Sequence, residues 1–122
     1  MPFLILNAYW IVKTGIKFIE LTTKRTFIMA KAIWNKQVIA ESNATVLVEG
    51  NHYFPPDSIR KDFFIDSALH TVCPFKGKAS YYTLVVDKKK NADAAWYYTK
   101  PNPGFEKITD YVAFWNGVEI TD

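Results

Sequence analysis

Cysteine is almost absent from this chain, which has a single one, Cys73, among its 122 residues. A lone cysteine cannot form a disulfide within the chain, so the fold must be stabilised by an apolar core. The composition can supply one, because 49% of the residues are hydrophobic and the length suits a single domain. The scarcity of cysteine also predicts a reducing, cytoplasmic location.

The sequence also has no obvious membrane-spanning stretch, since the apolar run from Phe3 to Val12 is about half the length that a spanning helix needs. A secretory signal is not indicated, because the basic residues follow this run instead of preceding it. Residues 1–28 hold four basic and one acidic residue, whereas residues 29–122 hold eleven of each. A neutral remainder gives no support to a phosphate-tracking surface, so we expect no nucleic-acid partner and no membrane span.

Residues 1–28 differ in pattern from the rest of the chain, which predicts an N-terminal extension followed by one domain over residues 29–122. Three interpretations of the extension remain open. It is a translated leader upstream of a true start at Met29, a membrane-surface or partner-binding extension, or an additional strand docked on the domain. The first is favoured because Met29-Ala30 resembles a natural beginning.

From Met29 onward, β-branched and aromatic residues alternate with polar ones between frequent turn signals. This pattern predicts a mostly β, single compact domain of antiparallel hairpins with about seven to eight strands and one or two short helices. Predicted hairpins join residues 30–34 to 37–41, 78–87 to 94–98, and 111–115 to 118–120, the last through Asn116-Gly117. The predicted short helical segments are residues 59–61 and 105–109, and residues 63–72 are predicted to be a loop.

The segment of residues 71–82, TVCPFKGKASYY, holds the single cysteine together with a proline, a lysine and a glycine, and an aromatic strand follows it. Pro74 fixes its own φ and biases Cys73 toward an extended conformation, while Gly77 permits backbone angles that other residues resist. The sequence therefore predicts a tight loop, CPFKG, that brings the thiol of Cys73 and the amine of Lys76 to one end of a sheet.

Five segments, MAKAIWNKQVIAES, VEGNHYFPPDSI, TVCPFKGKASYY, DAAWYY and DYVAFW, follow in this order between Met29 and about Ile120. Together they resemble domain-of-unknown-function family 427, a family of small prokaryotic and fungal proteins that also carries a nucleotidyltransferase label. The resemblance implies a β-tent fold, the architecture shared with methionine sulfoxide reductase B and the thalidomide-binding domain of cereblon. Those relatives hold zinc with paired CxxC motifs, which this sequence does not have, so no structural zinc is implied. The resemblance implies no particular reaction.

Aromatic residues of separate segments are predicted to meet at one end of the sheet and to line a small-ligand cleft beside the CPFKG loop. The predicted ligand-binding residues are Glu49, Tyr53, Phe54, Arg60, Lys76, Tyr82, Trp96 and Tyr98. Rings in such a cleft could cage a cation or stack on a base or another planar ligand, and Lys76 would hold an anionic or carbonyl group. The alternative is that these rings are the core of a small β domain and that Lys76 lies on its surface.

An enzyme of unspecified reaction is the second interpretation, with Cys73 and Lys76 as candidate catalytic residues. The thiol could act as a nucleophile or redox group if His70 or Lys76 lowers its pKa. However, a lone cysteine more often packs structurally, and the chain has no resolving cysteine. Nucleotidyl transfer has little support from the residues, because neither metal-holding carboxylates nor a P-loop is visible.

His52, His70 and Cys73 could in principle supply three metal ligands, but their spacing is that of no strong zinc motif. We therefore predict no metal and no cofactor. The expected partner is an unknown small molecule, and a protein-interaction module is the third interpretation. The oligomeric state does not follow from the sequence.

Overall fold

The computed structural model describes residues 29–122, and β-strands dominate this part of the chain. In chain order the strands are β1 (Ala30–Trp34), β2 (Gln37–Ser42), β3 (Val46–Val48), β4 (Asn51–Tyr53), β5 (Phe64–Cys73), β6 (Gly77–Val86), β7 (Lys89–Tyr97), β8 (Val112–Phe114) and β9 (Glu119–Thr121). The predictions for residues 1–28, including the boundary at Met29, lie outside the described residues. Within residues 29–122, no helix is long and apolar enough to cross a membrane.

The strands form three antiparallel sheets, with the orders β2-β1-β9, β3-β4 and β5-β6-β7-β8. Two backbone hydrogen bonds of 2.8 Å between Phe54 and Val112 join the end of β4 to β8. The sheets thus belong to one compact domain, which confirms the predicted mostly β, antiparallel fold. The short helices are single 3-10 turns at Pro56–Ser58, Lys61–Phe63 and Glu106–Ile108. The helical turn predicted over residues 59–61 is wrong, because Ile59 and Arg60 are extended and the second 3-10 turn begins only at Lys61. The third 3-10 turn lies within the predicted segment 105–109.

Four tight turns have positive φ at both of their central residues, which is the geometry of type I′ hairpin turns. They are Asn35-Lys36, Glu49-Gly50, Asp87-Lys88 and Asn116-Gly117. The first connects β1 to β2 in the register Trp34 opposite Gln37, so the predicted hairpin there is confirmed. Positive φ is unfavourable for residues other than glycine and asparagine, and at Glu49 this geometry determines where a carboxylate lies.

The predicted hairpin through Asn116-Gly117 is wrong, because β9 does not return along β8. It pairs instead with β1, with Ile120 opposite Ala32. The physical reason is that both edges of β8 are already occupied, one by β7 and the other by the hydrogen bonds between Phe54 and Val112. The free edge of β1 therefore receives β9.

The predicted loop over residues 63–72 is also wrong, because most of it is the ten-residue strand β5. This strand is at the edge of the four-stranded sheet, and its pairing with β6 shifts register between Asp66 and His70. Most of its residues are exposed, including Ile65, Leu69 and Val72. Because neither face of β5 is consistently buried, its sequence does not alternate between apolar and polar residues, and the pattern that predicts a strand is missing.

Apolar residues lie on both faces of the four-stranded sheet. One face packs in the main core, which includes Leu84, Val86 and Phe114 together with residues of β1 and β2. The other face packs in a second cluster of buried residues, namely Tyr53, Ala79, Tyr98, Ile108 and Ala113. The register of β6 and β7 places Tyr81 opposite Trp96, on the face of the second cluster. The candidate site is on this face.

Candidate functional site

The CPFKG loop reverses the usual positions of an aromatic and a charged side chain. It connects β5 to β6, with Cys73 paired to Gly77 across the hairpin. Phe75 is 72% exposed, whereas the neighbouring Lys76 is only 7% exposed. Lysine is rarely buried unless it is paired, so the loop conformation holds this ammonium group inside against its solvation preference.

Asn102 holds the CPFKG loop in place from the neighbouring loop. Its backbone N–H donates to the carbonyl oxygen of Lys76 at 2.9 Å, and its side-chain amide donates to the carbonyl oxygens of Pro74 and Phe75 at 3.4 and 3.3 Å. Gly77 has a φ of +112°, and a Cβ there would lie 3.3 Å from the Asn102 side chain. Glycine is thus required both for this backbone angle and for the close approach of the two loops.

Lys76 is paired with Glu49, which comes from the turn between β3 and β4. The ammonium Nζ donates to the carboxylate Oε1 at 2.5 Å. The side chain of Lys76 is 9% exposed and that of Glu49 is 61% exposed, so the pair joins a buried cation to a solvated anion. The hydrogen bond to Glu49 raises the pKa of Lys76, and burial opposes it without reversing it.

Aromatic rings surround this ion pair. Tyr53 of β4 is 1% exposed, and its hydroxyl oxygen accepts a 3.2 Å hydrogen bond from the indole N–H of Trp96, whose ring meets it edge-on at 6.2 Å. Tyr98 is also buried, and burial raises its pKa to about 12. Burial likewise raises the pKa of Tyr53. Both phenols can donate hydrogen bonds at neutral pH, since even the ordinary pKa of tyrosine, 10.0, lies well above it.

The pair and the rings line one cavity of about 320 Å³. Its lining residues are Glu49, Asn51, Tyr53, Lys76, Tyr81, Trp96, Tyr98 and Trp115. Trp115 is 55% exposed, and its indole N–H donates to the carbonyl oxygen of Asp93 at 2.7 Å. Asp93 has a φ of +57° and lies where the pairing of β7 with β6 is irregular. This irregularity positions Trp115 beside the cavity.

The structure brings together five of the residues that the sequence predicted for the site: Glu49, Tyr53, Lys76, Trp96 and Tyr98. It does not bring Phe54, Arg60 or Tyr82 to them. Phe54 is fully buried in the main core against Phe114, with ring centroids 5.5 Å apart. Arg60 is exposed beside β2, where its backbone N–H donates to Ile39.

Tyr82 lies on the opposite face of the sheet from the cavity. It stacks on Tyr97 with a centroid distance of 4.7 Å and lines a separate cavity of about 230 Å³. Three residues of the main cavity, Asn51, Tyr81 and Trp115, were missing from the sequence prediction. The alternation along β6 separates Tyr81 from Tyr82, but only the pairing with β7 shows that Tyr81 shares a face with Trp96.

Cys73 is not one of the residues that line the cavity. The thiol is partly buried against the second cluster. Its pKa is lowered, chiefly by a hydrogen bond from the backbone N–H of Lys76, with the N–H of Phe75 and the Lys76 ammonium adding to the effect. These contacts stabilise the thiolate relative to that of a free cysteine, and a catalytic role of Cys73 stays a prediction.

The two histidines of the described chain each have other partners. His52 contacts the Thr45 hydroxyl at 2.9 Å and the Asp122 carboxylate at 3.1 Å. His70 contacts the Ser80 hydroxyl at 3.1 Å. Among residues 29–122, no three His, Cys, Asp or Glu side chains come together as a set of metal ligands.

A family model described as a domain of unknown function (DUF427) matches residues 22–121. The match covers most of the chain, including all of the cavity-lining residues. No curated protein matches the chain.

Proposed function

This chain belongs to the DUF427 family, and we propose that it binds a small ring-bearing ligand in the cavity beside the CPFKG loop. The ligand's ring packs among Tyr53, Tyr81 and Trp96, and a polar group of the ligand accepts a hydrogen bond from Lys76. We place this function in the cytoplasm, because a chain with a single cysteine fits a reducing compartment.

The observation that carries the proposal is the burial of Lys76 next to an exposed Phe75. A protein under selection for stability alone would place these two side chains the other way round, because burial of an ammonium group is unfavourable and burial of a phenyl ring is favourable. Violations of such local rules concentrate at functional sites. Here the buried ammonium lies in the wall of an aromatic cavity.

The size and lining of the cavity support a small planar ligand. Its volume of about 320 Å³ is at the lower end of the range of small-molecule pockets, roughly 300–1,000 Å³. Aromatic walls bind planar rings by stacking and edge contacts, which tolerate many ring types. The polar groups at one side, Lys76 and Glu49, then provide orientation.

A thermal-shift screen against nucleobases, nucleotides, modified amino acids and uracil-type rings tests the proposal, because a ligand that binds only the folded state raises its melting temperature. We expect a hit to bind at least tenfold more weakly to Lys76→Met, since a hydrogen bond to a charged group contributes on the order of 1.5–3 kcal/mol. Lys78→Met is the matched control, because Lys78 is an exposed lysine of β6 outside the cavity.

Circular dichroism of each variant confirms that it is folded before binding is compared. A hit whose affinity is the same for wild type and Lys76→Met would contradict the proposed role of Lys76. The proposed site itself would be contradicted if no hit changes the NMR signal of the Trp96 indole N–H.

A further inference from the structure

The ion pair between Lys76 and Glu49 is asymmetric in a way that bears on the charge of the ligand. The Lys76 ammonium is held inside by the loop that Asn102 contacts, and its side chain is 9% exposed. The Glu49 carboxylate is 61% exposed at the tip of a two-residue turn. Water can therefore solvate the Glu49 carboxylate once another anion replaces it, whereas Lys76 cannot leave the cavity wall and needs a partner there.

Glu49 is also the only carboxylate within 4.0 Å of Lys76 in the described part of the chain. A buried ammonium group needs an anionic or strongly polar partner. An ammonium group has three N–H donors, and Glu49 accepts one of them. An anion that enters the cavity thus finds a cation whose present partner, the exposed Glu49, can be replaced.

Two of the remaining polar groups of the cavity, the phenols of Tyr53 and Tyr98, can donate hydrogen bonds. The hydroxyl oxygen of Tyr53 accepts from Trp96, which leaves its proton free to donate. The buried Tyr98 phenol is likewise protonated at neutral pH, as tyrosine ordinarily is, and can donate. Glu49 supplies the only carboxylate among the lining residues, beside Lys76, the phenols, the Asn51 amide and the indole rings. Such a lining is suited to a ligand that carries a carboxylate of its own.

We propose that Glu49 occupies the position of a ligand carboxylate, so that the cavity takes a small aromatic carboxylate whose anionic group displaces Glu49 from Lys76. This inference rests on the proposed function, because it names the class of ligand for the same cavity. Glu49 then acts as a specificity residue. It neutralises Lys76 in the free protein and competes with weak anions, so that only a ligand whose ring also fits the aromatic walls replaces it.

Three probes of equal ring size and different charge test this inference: benzoate, benzamide and benzylamine. Binding to the full chain is followed by NMR at the indole N–H signals of Trp96 and Trp115, with Trp34 of β1 as an internal control outside the cavity. The variants are Glu49→Gln and Glu49→Asn. Asparagine removes the charge, is one methylene shorter than glutamine and tolerates the positive φ of this turn position, so it gives a second folded variant.

We expect both variants to bind benzoate roughly tenfold more tightly than wild type, because the competing carboxylate is gone. Benzamide affinity should change by less than about threefold, since a neutral acceptor gains less from losing an anionic competitor. Benzylamine should bind most weakly to all three proteins.

Benzoate affinity that is unchanged or lower in both variants overturns the inference, and if the probes still shift Trp96 the proposed function survives. Tightest binding of benzylamine to wild type, lost in both variants, also overturns it, because Glu49 would then be a direct ligand for cations. If no probe shifts Trp96 in any of the proteins, both the inference and the proposed function fail.

Discussion

Removing the exposed partner of the Lys76–Glu49 pair should destabilise the protein more than removing the buried one. Glu49→Gln leaves a buried ammonium with only a neutral acceptor, whereas Lys76→Met removes that ammonium and keeps an apolar stem of similar length in its place. The carboxylate left behind by Lys76→Met is 61% exposed and is solvated by water. The usual expectation, that substitutions of buried residues are the more harmful ones, is therefore reversed at this pair.

The magnitude follows from how far the pair is buried. Breaking a fully buried ion pair by removing one partner costs about 3–5 kcal/mol. The Lys76–Glu49 pair is buried on one side only, and a hydrogen bond to a charged group contributes on the order of 1.5–3 kcal/mol. Because glutamine still offers a carbonyl oxygen, we expect Glu49→Gln to lower the free energy of unfolding by about 1–2 kcal/mol. Lys76→Met should lower it by less than about 1 kcal/mol.

Urea unfolding at about pH 7 measures both variants, and Glu49→Gln should shift the midpoint by roughly 1 M. Glutamine and glutamate adopt the positive φ at position 49 equally poorly, so the comparison isolates the charge. The pKa of Lys76 is raised above its ordinary value of 10.5 in the folded state. The pair's contribution is thus fully present below that value and is lost as pH rises through the folded pKa. The stability difference between wild type and Lys76→Met should therefore shrink as pH rises through this alkaline range.

The reasoning is refuted if Lys76→Met destabilises the protein more than Glu49→Gln does, or if the two effects are equal. Lys78→Met provides the baseline for losing a lysine of β6, and its effect should be close to zero because Lys78 is exposed. A large effect of this control would mean that lysine losses act through the net charge and not through the pair.

Gly77→Ala should lower the free energy of unfolding by about 2–3 kcal/mol, since it combines a strained φ of +112° with a Cβ 3.3 Å from the Asn102 side chain. Urea unfolding measures it, with Gly104→Ala as the control. That control should cost only about 1–2 kcal/mol, because φ is +99° at Gly104 but no atom lies within 4 Å of a Cβ placed there. Equal costs for the two substitutions would show that the contact between Gly77 and Asn102 does not contribute. The pKa of Tyr98 is raised by burial from 10.0 to about 12, so its contribution is present below about pH 10 and is lost as pH rises toward 12. Between about pH 7 and pH 11, the free energy of unfolding should therefore fall by about 1 kcal/mol less in Tyr98→Phe than in wild type. An equal fall in the two proteins would show that ionisation of this phenol is not linked to unfolding.

The strands and turns of this protein could largely be predicted from its sequence, because alternation and turn chemistry are local properties. The hairpin at Asn35-Lys36 and the strand β6 are in the predicted places. The partner of β6 was predicted over residues 94–98, whereas β7 begins five residues earlier, at Lys89, because the turn lies at Asp87-Lys88. The family could also be predicted, because the five segments that carry the resemblance are continuous stretches that can be read in order along the sequence. The edge strand β5 could not, since an exposed edge has no buried face to impose alternation on its residues.

The tertiary structure decided which residues share the cavity. Alternation separates Tyr81 from Tyr82, but a one-residue difference in pairing with β7 would exchange their faces, and the pairing depends on residues far apart in the chain. The same holds for Phe54 and Arg60, which follow β4 closely in sequence but pack elsewhere. The burial of Lys76 is the clearest case, because hydropathy places Phe75 inside and Lys76 outside. Asn102 and Glu49, two residues on other loops, hold the CPFKG loop and pair with the ammonium group, and neither contact could be read from the local sequence.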